Sequence, residues 1–281
     1  MNTIYDILGT ILPFSAYQFN FMKNAFLAIL LVTPLLGLLG TMAVNTQMAF
    51  FSDALGHSAL TGIGLGIVLG LHNDLLAMLI FGAVWAVMIC LIKQGNASSA
   101  DTVISVFSST SVALGLVILS RGGSFAKYSS LLIGDVLAVT QSDLLGLLIA
   151  LAVGIAAWLL IYNSLLLTSI NAPLARSRGI RTRLVEIGFV VLVAVAVMLA
   201  IRWIGVMLIN ALLILPAASA RNIARSTREH ALFSVLIALV SGIAGLFSAY
   251  YLDASAGAAI VLFTAVFYAL TLLVRTLRRD K

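Results

Sequence analysis

Charged side chains are scarce in this sequence, and their scarcity excludes most soluble architectures. Only 9% of the 281 residues are Asp, Glu, Lys or Arg, whereas soluble domains average about 25%. Hydrophobic residues make up 62% of the chain and form long runs separated by short polar breaks. The sequence therefore predicts an all-α, polytopic membrane protein whose spans are helices.

Cysteine and enzymatic motifs are nearly absent as well. The one cysteine, Cys90, excludes an intrachain disulfide framework and a CxxC metal site. The sequence has no G-x-x-x-x-G-K-[ST] phosphate loop, no H-E-x-x-H helix and no G-x-S-x-G elbow. We therefore expect neither an enzyme nor a chain that binds ATP through such a loop. The N-terminus also lacks the features of a removable signal peptide.

Nine stretches approach the roughly 20 apolar residues that a helix needs to cross a bilayer. They are residues 20–44, 49–70, 74–92, 102–120, 141–162, 185–203, 205–220, 231–250 and 254–274. Residues 1–19 hold an apolar piece too short to span, which we interpret as an interfacial segment preceding one transmembrane domain, 20–281. Residues 131–139 are apolar but equally short, so the prediction is eight or nine spans.

The net charge of +6 lies mainly at the ends of these spans, where Lys and Arg determine topology rather than bind nucleic acid. One side of the predicted bundle holds Lys93, Arg176, Arg178, Arg181, Arg183, Arg221, Arg225, Arg228, Arg275, Arg278, Arg279 and Lys281. The other side holds Lys23, Arg121, Lys127 and Arg202. The positive-inside rule assigns the richer side, with the C-terminus and the loop at 164–184, to the cytoplasm.

A carboxylate and an imidazole stand four residues apart in the second span, Asp53 and His57. Residues i and i+4 of a helix differ by about 40° around the axis, so both side chains lie on one face. An Asp inside a membrane costs about 2.5–3.5 kcal/mol and usually faces a partner or a pathway. The pair is compatible with a structural hydrogen bond, with a proton relay, or with transient binding of Zn²⁺, Mn²⁺ or Fe²⁺. Two ligands bind an ion weakly, which suits a transport pathway because the pathway must release its ion. A second copy of the chain would supply two more ligands.

Other polar or irregular positions within the spans are possible pathway or gate residues. Asn210 is polar at mid-span and requires a partner, for which helix–helix packing is the plainer interpretation. Pro216 is expected to kink the same helix, and Asp135 lies in the short apolar segment. The glycines Gly62, Gly66 and Gly70 form a ridge in the second span that predicts close packing against a neighbouring helix. We expect His230 at the cytoplasmic surface.

The loop at 164–184 contains the signals of a short helix. Asn171 is a suitable N-cap, Pro173 suits the first turn, and Gly179 suits the end. Four arginines make the loop basic. Physical chemistry alone leaves two partners open, anionic lipid headgroups or a cytosolic protein.

These segments resemble the permease family of bacterial metal-ion ABC transporters, which import zinc, manganese and iron. Residues 52–62, SDALGHSALTG, match the family's G-D-A-L-S-H-x-x-L-P-G pattern at the Asp and the His. Residues 134–140 match G-D-I-L-x-V-[ST], and 211–221 match A-L-L-x-x-P-A-A-x-A-R. Residues 171–180 match D-P-x-x-A-x-x-x-G-I more loosely, because Asn replaces the acid and one residue precedes Pro173. The resemblance covers the chain from residue 20 onward.

The resemblance implies a transport subunit of the bacterial inner membrane with no tightly bound cofactor. Two copies would form the path, a separate cytosolic ATPase would bind ATP, and an extracellular or periplasmic protein would deliver the ion. The transported metal would pass Asp53 and His57, and the chain would contact lipid but no nucleic acid. The positions that would couple the chain to the ATPase are Pro173, Leu174, Ala175, Arg176 and Gly179. A permease for a metal chelate, or a channel-like relay through Asp53 and His57, remains an alternative, and the sequence does not choose the metal.

Overall fold

A computed structural model describes residues 19–95, 99–121, 125–128, 134 and 136–279, and every regular element among them is helical. The long helices are α1 Asn20–Asn45, α2 Phe51–Val68, α3 Asp74–Gly95, α4 Ala100–Arg121, α6 Gln141–Ile170, α8 Thr182–Ile204, α9 Val206–Ile223, α10 Thr227–Tyr251 and α11 Ala256–Arg279. The short helices are α5 Phe125–Tyr128 and α7 Ala172–Ser177, with a 3₁₀ turn at Val136–Ala138. The predicted interfacial segment lies outside the described residues except for Phe19, and Asp135 lies outside them as well.

The predicted all-α membrane fold is confirmed, with nine long helices among the described residues. Eight of them are long and apolar enough to cross a membrane. The exception is α2, whose hydropathy is lowered by Asp53, His57 and its glycines. Thirteen of its 18 residues are buried, so most of the α2 surface packs against other helices.

Small residues allow α2 to pack closely against α3. A Cβ added to Gly62 would lie 3.1 Å from the Cα of Met78, and one added to Gly66 would lie 2.5 Å from the Cβ of Ala77. The predicted ridge is thus confirmed at two positions. A Cβ added to Gly70 would meet nothing within 4 Å, because this glycine follows the helix and turns the chain with a φ of 71°.

Polar contacts close both ends of the helix bundle. At one end, which we call the basic end, the contacts are Lys93 Nζ to Thr46 O at 3.4 Å, Arg221 Nη1 to Val44 O at 3.3 Å, and Gln94 Nε2 to Glu186 Oε2 at 2.7 Å. At the opposite end, the outer end, Asn24 Nδ2 donates to Val139 O at 3.0 Å and Trp203 Nε1 donates to Asp143 Oδ1 at 2.9 Å. The helices alternate between these ends in chain order.

The turn between α8 and α9 lies at the outer end, where the sequence predicted it. Gly205 joins the two helices with a φ of 81°. Gly134 lies against the Ile204 carbonyl so closely that no Cβ would fit. The 3₁₀ turn that follows packs on α1. Residues 134 and 136–139 therefore stay at the outer end and do not cross the bundle.

Two sequence expectations are wrong in detail. The fifth predicted span, 141–162, continues as one helix to Ile170, because no helix breaker occurs before Asn171. His230 is not a surface residue but is 5% exposed, with Nε2 2.9 Å from the Ala217 carbonyl of α9. The imidazole thus satisfies a buried backbone acceptor between α9 and α10.

Candidate functional site

The first turn of α2 carries the two residues that the sequence singles out. Asp53 is the third residue of this helix, and a carboxylate there interacts favourably with the N-terminal end of the helix dipole. His57 follows one turn later. As the spacing predicts, the two side chains lie together, with His57 Nε2 3.6 Å from Asp53 Oδ1.

Neither side chain is enclosed within the single chain. The His57 side chain is 34% exposed and that of Asp53 is 46% exposed, although most of α2 is buried. The pair therefore occupies an open face of the helix. An ion or a second protein surface can reach both groups from this side.

Asn210 on α9 completes a cluster that the sequence did not predict. Its Nδ2 donates a hydrogen bond of 2.9 Å to Asp53 Oδ1, across 157 positions of sequence. Its Oδ1 is buried and lacks a hydrogen-bond partner among the described residues. Buried polar atoms are usually paired, and an unpaired one costs about 1–3 kcal/mol. A cation beside the cluster would satisfy this oxygen.

Close contact between α2 and α9 holds the cluster together. A Cβ on Gly56 would overlap Cγ1 of Val206, so a larger residue would require the Val206 side chain to move. Gly56 lies between Asp53 and His57 in sequence. Val206 lies one helical turn before Asn210. Glycine at position 56 thus departs from the family pattern and makes room for the neighbouring helix.

The cluster lies at depth within the bundle. Asn210 lies four residues after Val206, the first residue of α9, and thirteen residues before Ile223, the last. At 1.5 Å per residue the amide lies about 6 Å below the outer end of the helix and about 20 Å from its other end. Pro216 is buried six residues further along and is not part of the cluster.

The cluster alone is an incomplete metal site. Among the described residues there is no group of three or more His, Cys, Asp and Glu that could hold a metal ion. One chain supplies a carboxylate, an imidazole and an amide oxygen, a donor set that suits borderline and hard divalent ions. Such a set leaves coordination positions open and favours rapid release over tight binding.

The short helix α7 forms as the sequence predicts. Asn171 Oδ1 accepts the Leu174 N–H at 3.0 Å, and Gly179 ends the turn with a φ of 78°. The N–H groups of Gly179 and Ile180 bond to carbonyls of the helix at 2.9 and 3.1 Å, a Schellman arrangement. Ala175 is fully buried and anchors α7, whereas Leu174 is 45% exposed.

A polar cavity of about 450 Å³ lies at the outer end, beside α5. Tyr128 donates to Asp74 Oδ2 at 3.0 Å, and Lys127 Nζ donates to the Tyr128 hydroxyl at 3.1 Å. Arg202 lines the same cavity together with His72. His72 and Asp74 alone would suggest a site that attracts cations. The positive charges of Lys127 and Arg202 oppose this.

Comparison with known proteins places most of the chain in one family. The ABC 3 transport family matches residues 18–275. The manganese import system permease protein ScaB of Streptococcus parasanguinis is 31% identical over 265 residues, 93% of each chain. The high-affinity zinc uptake system membrane protein ZnuB of Haemophilus influenzae is 28% identical, over 92% of this chain and 99% of that protein.

Solved structures show the same fold. PsaBC from Streptococcus pneumoniae, in complex with Fab, matches with a TM-score of 0.79 and 27% identity, over 96% of this chain and 95% of that chain. A second ABC transporter, captured in an inward-facing conformation, matches with a TM-score of 0.69 over 91% of this chain and 85% of that chain. Its 17% identity shows the fold alone.

Proposed function

The chain belongs to the ABC 3 transport family, and from this premise we propose that it is the membrane permease of an ATP-driven importer of divalent transition-metal ions. Manganese and zinc are the cargoes named for its relatives. The observation that carries the proposal is the cluster of Asp53, His57 and Asn210 within the bundle. Its donors suit these ions, and the amide oxygen of Asn210 has no hydrogen-bond partner among the described residues.

The complete transport path is formed by two copies of the chain. The open face that carries Asp53 and His57 supports this arrangement, because charged groups at membrane depth require a protein or aqueous neighbour. Two clusters facing one another would offer two carboxylates, two imidazoles and two amide oxygens. Six such donors are enough to replace the water around an ion in transit.

Energy comes from a separate cytosolic ATPase that docks on α7. This helix is capped at both ends, which holds its exposed surface in a fixed orientation. Pro173, Leu174, Arg176 and Gly179 lie on that surface, while Ala175 holds the helix against the bundle. The basic end and the C-terminus lie in the cytoplasm, and a binding protein delivers the ion at the outer end.

Two alternatives predict different energetics. A relay or channel through Asp53 and His57 would not require ATP, and a chelate permease would transport the ion with its ligand. The test is uptake of radioactive manganese or zinc into proteoliposomes that contain the permease with its ATPase and binding protein. We expect uptake of the free ion that stops when ATP is replaced by ADP. Uptake driven by a proton gradient without ATP, or uptake only of a metal chelate, would contradict the proposal.

A further inference from the structure

A groove of about 620 Å³ opens between α10 and α11 near the basic end. Its walls are apolar over most of their length. The apolar lining residues are Ile223, Phe233, Ile237, Phe267, Leu270 and Val274. None of them belongs to the cluster on α2 or to α7, so the metal path and the ATPase contact do not account for the groove.

Two arginines stand at the rim of this groove, Arg225 and Arg278. Neither guanidinium has a side-chain or backbone partner among the described residues. The nearby Glu229 is already engaged, because its Oε2 accepts the backbone N–H of Arg225 at 2.8 Å, and its own N–H bonds to Ser226 Oγ at 3.2 Å. The carboxylate is thus held at the start of α10 and pairs with neither guanidinium group, so the groove carries two positive charges against one negative charge.

Hydrogen bonds from α9 hold the α11 wall of the groove. Asn222 at the end of α9 donates to Thr271 Oγ1 at 3.3 Å and accepts from Arg275 Nη1 at 3.2 Å. These bonds tie α9 to α11. Thr271 lines the groove, so these bonds fix the α11 wall relative to α9.

The dimensions of the groove fit a molecule with a charged end and a long apolar part. Phe267 and Arg278 are eleven residues apart on α11, which corresponds to about 16 Å along the axis. The positive charges lie at the membrane surface, and the apolar walls extend from there toward the hydrocarbon core. Of the eight apolar spans, α11 is the least buried, with 17% of its most apolar window inside the protein.

We propose that this groove binds one anionic phospholipid. The phosphate lies between Arg225 and Arg278, and an acyl chain lies against Phe233, Leu270 and Val274. Juxtamembrane Lys and Arg attract anionic headgroups by about 1 kcal/mol each, equivalent to about fivefold in affinity. Charge complementarity at the rim favours lipid over an apolar protein helix, which would leave both guanidinium groups unpaired in the interface.

The test uses the full-length permease, purified in detergent and washed free of lipid, with lipid binding measured by native mass spectrometry. Phosphatidylglycerol and phosphatidylcholine with identical acyl chains are compared. The double variant Arg225→Gln with Arg278→Gln removes the rim charges. Its matched control, Arg183→Gln with Arg228→Gln, removes two exposed arginines of the same end that do not line the groove. Val274→Trp fills the apolar part and keeps both charges.

We expect phosphatidylglycerol to bind more tightly than phosphatidylcholine. The rim variant should lose about 25-fold in affinity for phosphatidylglycerol, about fivefold per arginine, while the control variant stays within twofold of wild type. Val274→Trp should weaken both lipids, and it tests the proposal even if the rim variant does not fold. Inorganic phosphate at millimolar concentration should not displace the lipid.

Three results would overturn the proposal. Equal losses in the rim and control variants would show general surface attraction. Displacement by inorganic phosphate, or full lipid binding by Val274→Trp, would show an anion site without an acyl-chain groove. Loss of permease self-association or ATPase binding in the rim variant, with lipid affinity unchanged, would show that a protein covers the groove.

Discussion

Asp53 is held by one neighbour that sequence spacing predicts and one that it does not. His57 lies on the same helical face because four residues nearly complete a turn. Asn210 reaches the same carboxylate from another helix, 157 positions away, and no local pattern encodes that contact. The sequence therefore predicts the Asp53–His57 pair but treats Asn210 as a separate polar position. The burial of His230 was missed for the same reason, since its acceptor is on α9.

Asn210→Ala removes both the hydrogen bond to Asp53 and the unpaired amide oxygen. Hydrogen bonds to charged groups contribute about 1.5–3 kcal/mol, so we expect the apparent affinity for the transported ion to fall by about tenfold or more. The measurement is the KM for metal uptake in proteoliposomes containing the whole transporter. Asn73→Ala is the control, because Asn73 caps α3 at the surface and does not touch the cluster. A KM equal to that of wild type would exclude Asn210 from the site.

Short helices with complete capping signals were predictable at the scale of single elements. Asn171, Pro173 and Gly179 identified α7, since each meets a local backbone requirement that does not depend on tertiary contacts. The length of α6 was underestimated, because its last eight residues are more polar than the span but contain no helix breaker. Hydropathy measures where lipid can lie, whereas helix length follows from backbone signals.

Leu174→Asp places a charge on the exposed surface of α7. If this surface contacts the ATPase, the buried charge is costly, and we expect co-purification of the ATPase and transport-linked hydrolysis to fall by about tenfold or more. Leu184→Asp is the matched control, because Leu184 is also exposed near the basic end but lies on α8. If α7 instead contacts lipid headgroups, Arg176→Gln with Arg178→Gln should reduce membrane expression while Leu174→Asp keeps the ATPase bound.

The topology of the whole molecule rests on the distribution of Lys and Arg. The structure brings the basic residues Lys93 and Arg221 to one end, where Arg221 contacts the last turn of α1 and Lys93 contacts Thr46 just after it, as the predicted alternation of spans requires. The fold thus agrees with the prediction that these basic loops lie on the same side of the bundle. The positive-inside rule makes a separate prediction, that the basic end faces the cytoplasm.

Cysteine labelling in a Cys90→Ala background tests this orientation. Ser177 and Ser255 are exposed near opposite ends of the bundle, on α7 and in the α10–α11 connection. A membrane-impermeant maleimide added to intact cells, or to spheroplasts if an outer membrane is present, should label Ser255→Cys and leave Ser177→Cys unlabelled until the membrane is opened. Labelling of Ser177→Cys in sealed cells would reverse the assigned orientation.

The central proposal for the whole molecule is that Asp53, His57 and Asn210 form a weak, incomplete ion site on the open face of α2. Uptake by Asp53→Asn and His57→Ala in the assembled transporter tests this account most directly. Their matched controls are Asp253→Asn and His72→Ala, at exposed positions outside the cluster; Asn tolerates the positive φ of 48° at position 253. We predict that each cluster variant loses ATP-driven metal uptake by at least about a hundredfold while still binding the ATPase, and that both controls transport normally. Wild-type uptake by either cluster variant would contradict the account.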